Sequence, residues 1–323
     1  MSLTRHTLNP ILTRLDIPAV RPHLVDVTSV LNPGATVYRD RPLLLLRVQN
    51  RGRETFLMAA ESGDGARFTV RDREIRWRGL ERVPGTIHHI YDPRITRLGD
   101  EYLVTVAMDI DETCRIGLAR TGDFETLEFL GLACADDSRN GVLFPERIGG
   151  RYAMLERPNS LLAPDGPPTG DAIVLSFSDD LRRWQRAGVV MHGRPHLWDE
   201  RIGPGPPPVK TREGWLLVYH GVATHFGSAS IYQAGAALLA LDDPTRVIAR
   251  GRYNLLEPRE PYETTGQVPN VVFPSGWIVE GTDADGFASP SGRVRLYYGA
   301  ADTVVGLATG KVQGLLEACR EGT

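Results

Sequence analysis

The sequence predicts an all-β protein, a five-bladed β-propeller, and three observations carry that prediction. Glycine (34 residues) and proline (23) punctuate the whole chain, which suits many short strands joined by tight turns. One pattern recurs five times: a head rich in small residues, Pro, Asn or Asp, a short strand, a tight polar turn, then a strongly apolar strand. Only residues 311–320 carry a convincing helical period, with Val312, Leu315, Leu316 and Cys319 at i, i+3, i+4 and i+7. A doubly wound α/β fold would need several such helices between its strands.

The five copies follow in order. The first runs from Asn32-Pro33-Gly34 through a turn at 39–41 to the apolar strand 43–48. The second runs from Asp92-Pro93-Arg94 through Gly99-Asp100 to 102–108, and the third from Arg139-Asn140-Gly141 through Gly149-Gly150 to 152–155. The fourth is placed at 206–210, with a turn at 212–214 and a strand at 215–219. The fifth is placed at Pro269-Asn270-Val271, with a turn near Ser275-Gly276 and a later strand at 294–298. Further strand signals lie between copies, at 115–119, 172–177 and 235–241. The heads are roughly 50–65 residues apart, near the length of one four-stranded blade. Residues 1–323 are therefore expected to form one propeller, with 1–30 closing or packing on it and a C-terminal helix at about 311–320. A pair of β-sandwiches is the alternative.

Composition narrows the function. The net charge is −3 with a pI near 6.3, so no sequence-wide basic field exists to hold nucleic acid. Apolar runs such as 43–46 are far short of the ~20 residues that span a bilayer. Cys114, Cys134 and Cys319 have no zinc spacing and no disulfide framework, and no apolar signal-peptide core opens the chain; a cytoplasmic protein is expected. Asp109, Asp111 and Glu112 lack EF-hand spacing, and His88-His89 and His192 with His196 lack a third ligand, so no metal is expected. No nucleophile elbow, Walker loop or dinucleotide fingerprint occurs.

A hairpin begins and ends on one side of its sheet, so the heads and the returning strand tails should share one rim. The heads supply Asp92, Arg139, Asn140 and Asn270, and the tails supply Arg47, Arg157, His220 and Asp302. Together they predict a convergent polar pocket for a small polar ligand. Lys210 sits near its turn and would have to reach back.

At these residues the chain resembles glycoside hydrolase family 130. The resemblance rests on Tyr91-Asp92-Pro93-Arg94-Ile95-Thr96, Arg139-Asn140-Gly141-Val142-Leu143-Phe144-Pro145-Glu146, Ile202-Gly203-Pro204-Gly205-Pro206-Pro207-Pro208-Val209-Lys210-Thr211 and Tyr297-Tyr298-Gly299-Ala300-Ala301-Asp302. Leu8-Asn9-Pro10-Ile11-Leu12 and Asn32-Pro33-Gly34-Ala35 extend it over essentially the whole chain. It implies a five-bladed propeller acting on β-mannosides, most members being inverting phosphorylases and some β-mannosidases. It implies Asp92 as general acid, delivering its proton through a mannose hydroxyl. It implies phosphate binding by Arg139, Asn140, Arg157, Lys210 and Tyr232, with Arg47, Arg94, His220 and Asp302 as sugar-binding candidates. Two departures leave the linkage (β-1,2 or β-1,4) and the acceptor open: Tyr91 stands where several subgroups have an acidic residue, and Gln233 where an Arg often follows the Tyr.

Phosphorolysis and hydrolysis need different residues. An inverting hydrolase needs a second carboxylate, roughly 6.5–9.5 Å from the acid, to activate water. Phosphate is already an anion, so a phosphorylase needs cations to hold it, and the planar fork of Arg suits that task. The basic set Arg139, Arg157 and Lys210 favours a phosphorylase that uses inorganic phosphate as co-substrate and no cofactor. Alternatives are an inverting β-mannosidase with Glu156 or Asp302 as base, and a non-catalytic carbohydrate-binding propeller. Homo-oligomer formation stays open, because the stripe on the C-terminal helix could pack on its own propeller or on a neighbour.

Overall fold

The computed structural model describes residues 2–134, 136–161, 169–224 and 230–321. Five mainly antiparallel sheets form a ring, and the molecule is a five-bladed β-propeller. A short strand, β1 (Leu3–Arg5), precedes the first blade. Blade 1 comprises β2 (Val27–Tyr38), β3 (Arg41–Asn50), β4 (Thr55–Ser62) and β5 (Phe68–Glu74). Blade 2 comprises β6 (Arg76–Arg78), β7 (Ile87–Leu98), β8 (Glu101–Ile110), β9 (Thr113–Thr121) and β10 (Thr126–Leu132), with β6 pairing parallel to β10 on the outside. Blade 3 comprises β11 (Ser138–Leu143), β12 (Tyr152–Pro158), β13 (Ala172–Ser178) and β14 (Gln185–His192).

The innermost strand of blade 4 is broken. β15 (Arg201–Pro204) and β16 (Val209–Thr211) both pair with β17 (Gly214–Ala223), followed by β18 (Ile231–Leu239) and β19 (Val247–Arg250). A short helix, α1 (Pro261–Thr264), leads to blade 5: β20 (Val272–Val279), β21 (Arg293–Ala300) and β22 (Val304–Lys311). Helix α2 (Val312–Arg320) ends the described chain.

Both faces of each sheet are buried against neighbouring blades, which explains uninterrupted apolar runs where an exposed sheet would alternate. In β3, Leu44 and Leu46 join a core with Ile278, Tyr297 and Leu307 of blade 5, while Leu43 and Leu45 join one with Ile95, Val104 and Phe124 of blade 2. All four leucines are fully buried. At roughly 1.5–3 kcal/mol per buried side chain, this stacking is the main force holding the blades together.

The ring closes at blade 5. β1 pairs antiparallel with β22, Leu3 opposite Gly310, and becomes that sheet's outer strand. Arg5 bonds Glu263 through two nitrogens, both at 2.8 Å, and Tyr298 donates to the same carboxylate. The helical period seen at 311–320 is α2, whose Val312, Leu315, Leu316 and Cys319 are all buried against blades 4 and 5 of its own propeller.

Two boundaries differ from the sequence reading. The fourth blade begins at Arg201, not at Pro206, because a four-residue strand followed by Gly205 and three prolines does not show as a strand in composition. Ser275-Gly276 is not a turn: β20 runs through it with a bulge between Pro274 and Gly276. No described helix is long and apolar enough to cross a membrane.

Candidate active site at the mouth of the channel

The innermost strands of blades 1, 2 and 3 carry the same defect. Their pairing slips between Leu31 and Gly34, Tyr91 and Arg94, and Arg139 and Val142. Inside each slip sits an Asn or Asp with left-handed backbone: Asn32 (φ 46°), Asp92 (φ 51°) and Asn140 (φ 58°). Asn and Asp are the non-glycine residues that tolerate this conformation best. A bulge re-aims the side chain it carries, and all three side chains line one cavity of about 520 Å³.

Asp92 is buried, and its Oδ1 accepts hydrogen bonds from Asn32 Nδ2 and Arg47 Nη1, each at 2.9 Å. Asn32 reaches this place because the facing residue is Gly299; a Cβ there would collide with the Asn32 amide oxygen. The Arg47 and Arg139 guanidinium carbons lie 4.5 and 5.8 Å from the Tyr91 ring centre. The Tyr91 hydroxyl donates to Asp109 Oδ1 at 2.8 Å, and Arg139 lies 3.6 Å from the same oxygen. Burial opposes the charge of Arg139, but Tyr91, Cys114 and Asp109 outweigh it and raise its pKa. Burial likewise opposes the charge of Arg47, and Asp92 and Asp302 outweigh it.

Asp302, in the turn after β21, also lines the cavity, and burial pushes its carboxyl up to about 6 despite Arg47. Opposite the acids the wall is basic. Arg157 is buried and donates to Asn159 Oδ1 at 3.0 Å, but forms no ion pair among the described residues. Burial lowers its pKa, and so does nearby Arg139. Arg201 and Tyr232 complete this wall, and burial raises the Tyr232 phenol. Asp92 is matched by Arg47 and Asp109 by Arg139; Arg157 and Arg201 have no such partner among the described residues.

Of the residues singled out in the sequence, Asp92, Arg47, Arg139, Asn140, Arg157, Tyr232 and Asp302 converge on the cavity. Five residues lie elsewhere. Asn270, half-buried just before β20, is not among the residues lining the cavity; its carbonyl accepts from Tyr232 N at 2.9 Å. Lys210 bonds Glu146 at 2.8 Å and stands over Phe287, because it belongs to β16 at the turn end of the blade, away from the mouth. Arg94 lies beneath the cavity floor, 2% exposed, bonded to backbone carbonyls. His220 is fully buried behind Tyr232 and Phe273, and burial, then Arg157 and Arg94, pushes its pKa well below the usual histidine value. It packs there because Gly203 faces it; a Cβ at 203 would collide with the imidazole. Glu156, the other candidate base, is buried away from the cavity, accepting from Ser138 and Ser176 hydroxyls at 2.8 and 2.7 Å.

The cavity is also lined by Phe273 and Arg201, which carried no expectation, by Asn32 and Tyr91, marked only as a repeat head and a departure from the family pattern, and by Asp109 and His89, set aside as metal ligands. Two had a signal. Asn32 holds the same repeat position as Asp92 and Asn140. Arg201-Ile202-Gly203 has the spacing of Arg139-Asn140-Gly141, and Arg201 lines the basic wall, which Lys210 does not reach.

The fold and the polar mouth are those of a propeller enzyme site, and the comparisons give its class. The family model described as β-1,4-mannooligosaccharide phosphorylase matches residues 2–321, and the chain belongs to that family, glycoside hydrolase family 130. The chain is 33% identical over 320 residues to the β-1,4-mannooligosaccharide phosphorylase of Ruminococcus albus, covering 97% of this chain and 89% of that one. It is 34% identical over 253 residues to the 1,2-β-oligomannan phosphorylase of a Thermoanaerobacter species, covering 77% and 76%. Its fold matches the β-1,2-mannobiose phosphorylase of Listeria innocua, solved with β-1,2-mannobiose, with a TM-score of 0.82, 29% identity and 99% coverage of both chains.

Proposed function

We propose that this protein is an inverting phosphorylase that cleaves β-1,2- or β-1,4-linked mannosyl oligosaccharides with inorganic phosphate. The products are α-mannose 1-phosphate and an acceptor shortened by one unit. The observation that carries this reading is Arg157: a buried guanidinium without a carboxylate partner among the described residues, sharing a wall with Arg139 and Arg201, is a site awaiting an anion. Phosphate is assigned to Arg139, Asn140, Arg157, Arg201 and Tyr232. The terminal mannose is assigned to the floor between Asn32, Arg47, Asp92 and Asp302.

Asp92 is the acid. Both hydrogen bonds it accepts go to Oδ1, which leaves Oδ2 to carry the proton. A phosphate oxygen attacks the anomeric carbon from the face opposite the leaving group. The glycosidic C–O bond breaks, and the proton passes from Asp92 through a mannose hydroxyl to the departing oxygen. Phosphate is the co-substrate, and no cofactor is assigned. The free, buried Cys114, Cys134 and Cys319 support placing the protein in the reducing cytoplasm.

A second reading, an inverting β-mannosidase, rests on Asp302, which brings another carboxyl into the cavity. One assay separates the two. The protein is incubated with β-1,2- and β-1,4-mannobiose, with and without phosphate. Mannose 1-phosphate formed only with phosphate establishes the phosphorylase, and the better substrate names the linkage. Free mannose released without phosphate would overturn it in favour of the hydrolase.

A further inference from the structure

Arg94 follows the acid by two residues, yet it does not reach the cavity. Its guanidinium points inward and bridges blades that are not neighbours in the ring. From β7 of blade 2, Nε donates to Gly205 O at 2.8 Å and Nη2 to Pro204 O at 3.3 Å, both on the blade 4 wall. Nη1 turns back to Asp92 O at 3.3 Å. The Phe273 ring of blade 5 lies 5.7 Å from the guanidinium carbon. Three blades thus meet on one side chain at the channel axis.

The placement is costly. Arg94 is 2% exposed and has no ion pair among the described residues; its partners are carbonyl oxygens. Burial lowers its pKa to about 10, so it stays charged at neutral pH. An apolar side chain of similar volume would fill the same space without that penalty. What an apolar group cannot do is hold two backbones together. One is the left-handed turn at Asp92, whose geometry aims the carboxyl. The other is Pro204-Gly205, continuous with Gly203, against which His220 and Arg157 pack.

We propose that Arg94 is a positioning residue for the reaction, a clamp across the channel that fixes the backbone of the acid Asp92 relative to the blade 4 wall supporting the phosphate-binding Arg157. This inference rests on the phosphorylase reading above. It is tested with Arg94→Lys and Arg94→Met, measuring kcat, the KM for phosphate and for mannobiose, and thermal unfolding. Misplacing reacting groups by about 1 Å costs on the order of 10²-fold. The clamp predicts a kcat loss of about that size in both variants. Lys, which keeps the charge and one donor direction, should recover part of what Met loses. The phosphate KM should move less than about threefold, because Arg94 touches no ligand. Folded variants with wild-type kcat would overturn the proposal, as would a loss confined to KM. Failure of both variants to fold would make Arg94 a residue that holds the fold and would equally overturn it. Absence of mannose 1-phosphate from the wild-type protein would instead show that the phosphorylase reading itself had failed.

Discussion

Arg157→Met is the substitution with the most to reveal about the basic wall, because it should separate stability from binding. Arg157 is 7% exposed, its guanidinium sits near Arg139, and among the described residues it has only the Asn159 side chain as a hydrogen-bond partner. Met keeps most of the apolar stem and removes a buried charge with no carboxylate to balance it. In phosphate-free buffer the variant should therefore be as stable as the parent or more so. Phosphate binding should suffer. A charge-assisted hydrogen bond contributes about 1.5–3 kcal/mol, and a bidentate contact makes two. A loss of about 3–4 kcal/mol corresponds to roughly 10²–10³-fold in phosphate affinity, at 1.4 kcal/mol per decade. Differential scanning fluorimetry with and without phosphate reads both effects. The parent should gain several degrees as phosphate approaches 100 Kd, where linkage contributes about 2.7 kcal/mol, and the variant should gain less than about one degree over the same range. Steady-state kinetics should show the phosphate KM raised by the same factor. A phosphate KM within threefold of the parent, or marked destabilisation without phosphate, would show that the buried guanidinium is already compensated and that the anion site lies elsewhere.

Other outcomes follow from the same geometry. Asp92→Asn keeps an acceptor oxygen for Asn32 and Arg47 but carries no transferable proton, so turnover should vanish in both phosphorolysis and synthesis while the unfolding temperature stays near that of the parent; near-normal turnover would remove Asp92 as the acid. Lys210→Met should leave the phosphate KM unchanged within about twofold, whereas Arg201→Met should raise it about tenfold or more; the reverse pattern, measured by initial rates, would restore the lysine. Asp302 is raised in the folded protein to about 6 from its ordinary value near 3.9. The folded state therefore binds more protons than the unfolded state between these values, and this residue's contribution to stability is full below about pH 4 and lost as pH rises through about 6. Urea unfolding at pH 4 and pH 6.5 should show that contribution, on the order of 2–3 kcal/mol, disappearing in Asp302→Asn; an unchanged pH dependence would refute the shift.

The propeller was legible in the sequence because its blades bury both faces. That requirement leaves continuous apolar strands such as 43–46, and turns that repeat with the blade. Asp92, Arg139, Asn140 and Arg157 were legible as cavity residues for a related reason: each sits at a head or tail of the repeat, and Asp-Pro and Asn-Gly mark the left-handed bulge. What failed was depth. Arg94 and His220 occupy the right strands, but only the alternation of the pleat, shifted by a bulge, decides whether a side chain faces the cavity or lies beneath it. Lys210 sits near its turn, as its place in the repeat indicated, but its side chain bonds Glu146 and does not reach back to the cavity; the Gly-Pro-rich interruption hid the start of blade 4 at Arg201. Glu156 is one residue from Arg157, and that single step turns it from the channel into the space between blades.

Pairing of β1 with β22 joins residues about 300 positions apart in sequence. A chain made from its N-terminus must therefore hold its first strand in waiting until its last hairpin has left the ribosome. Until β1 docks, the outer edge of blade 5 is open, and Glu263 lacks the arginine that neutralises it. Contacts of such long range are slow to form, so removal of residues 2–5 should slow productive closure and expose an edge to which another chain can pair.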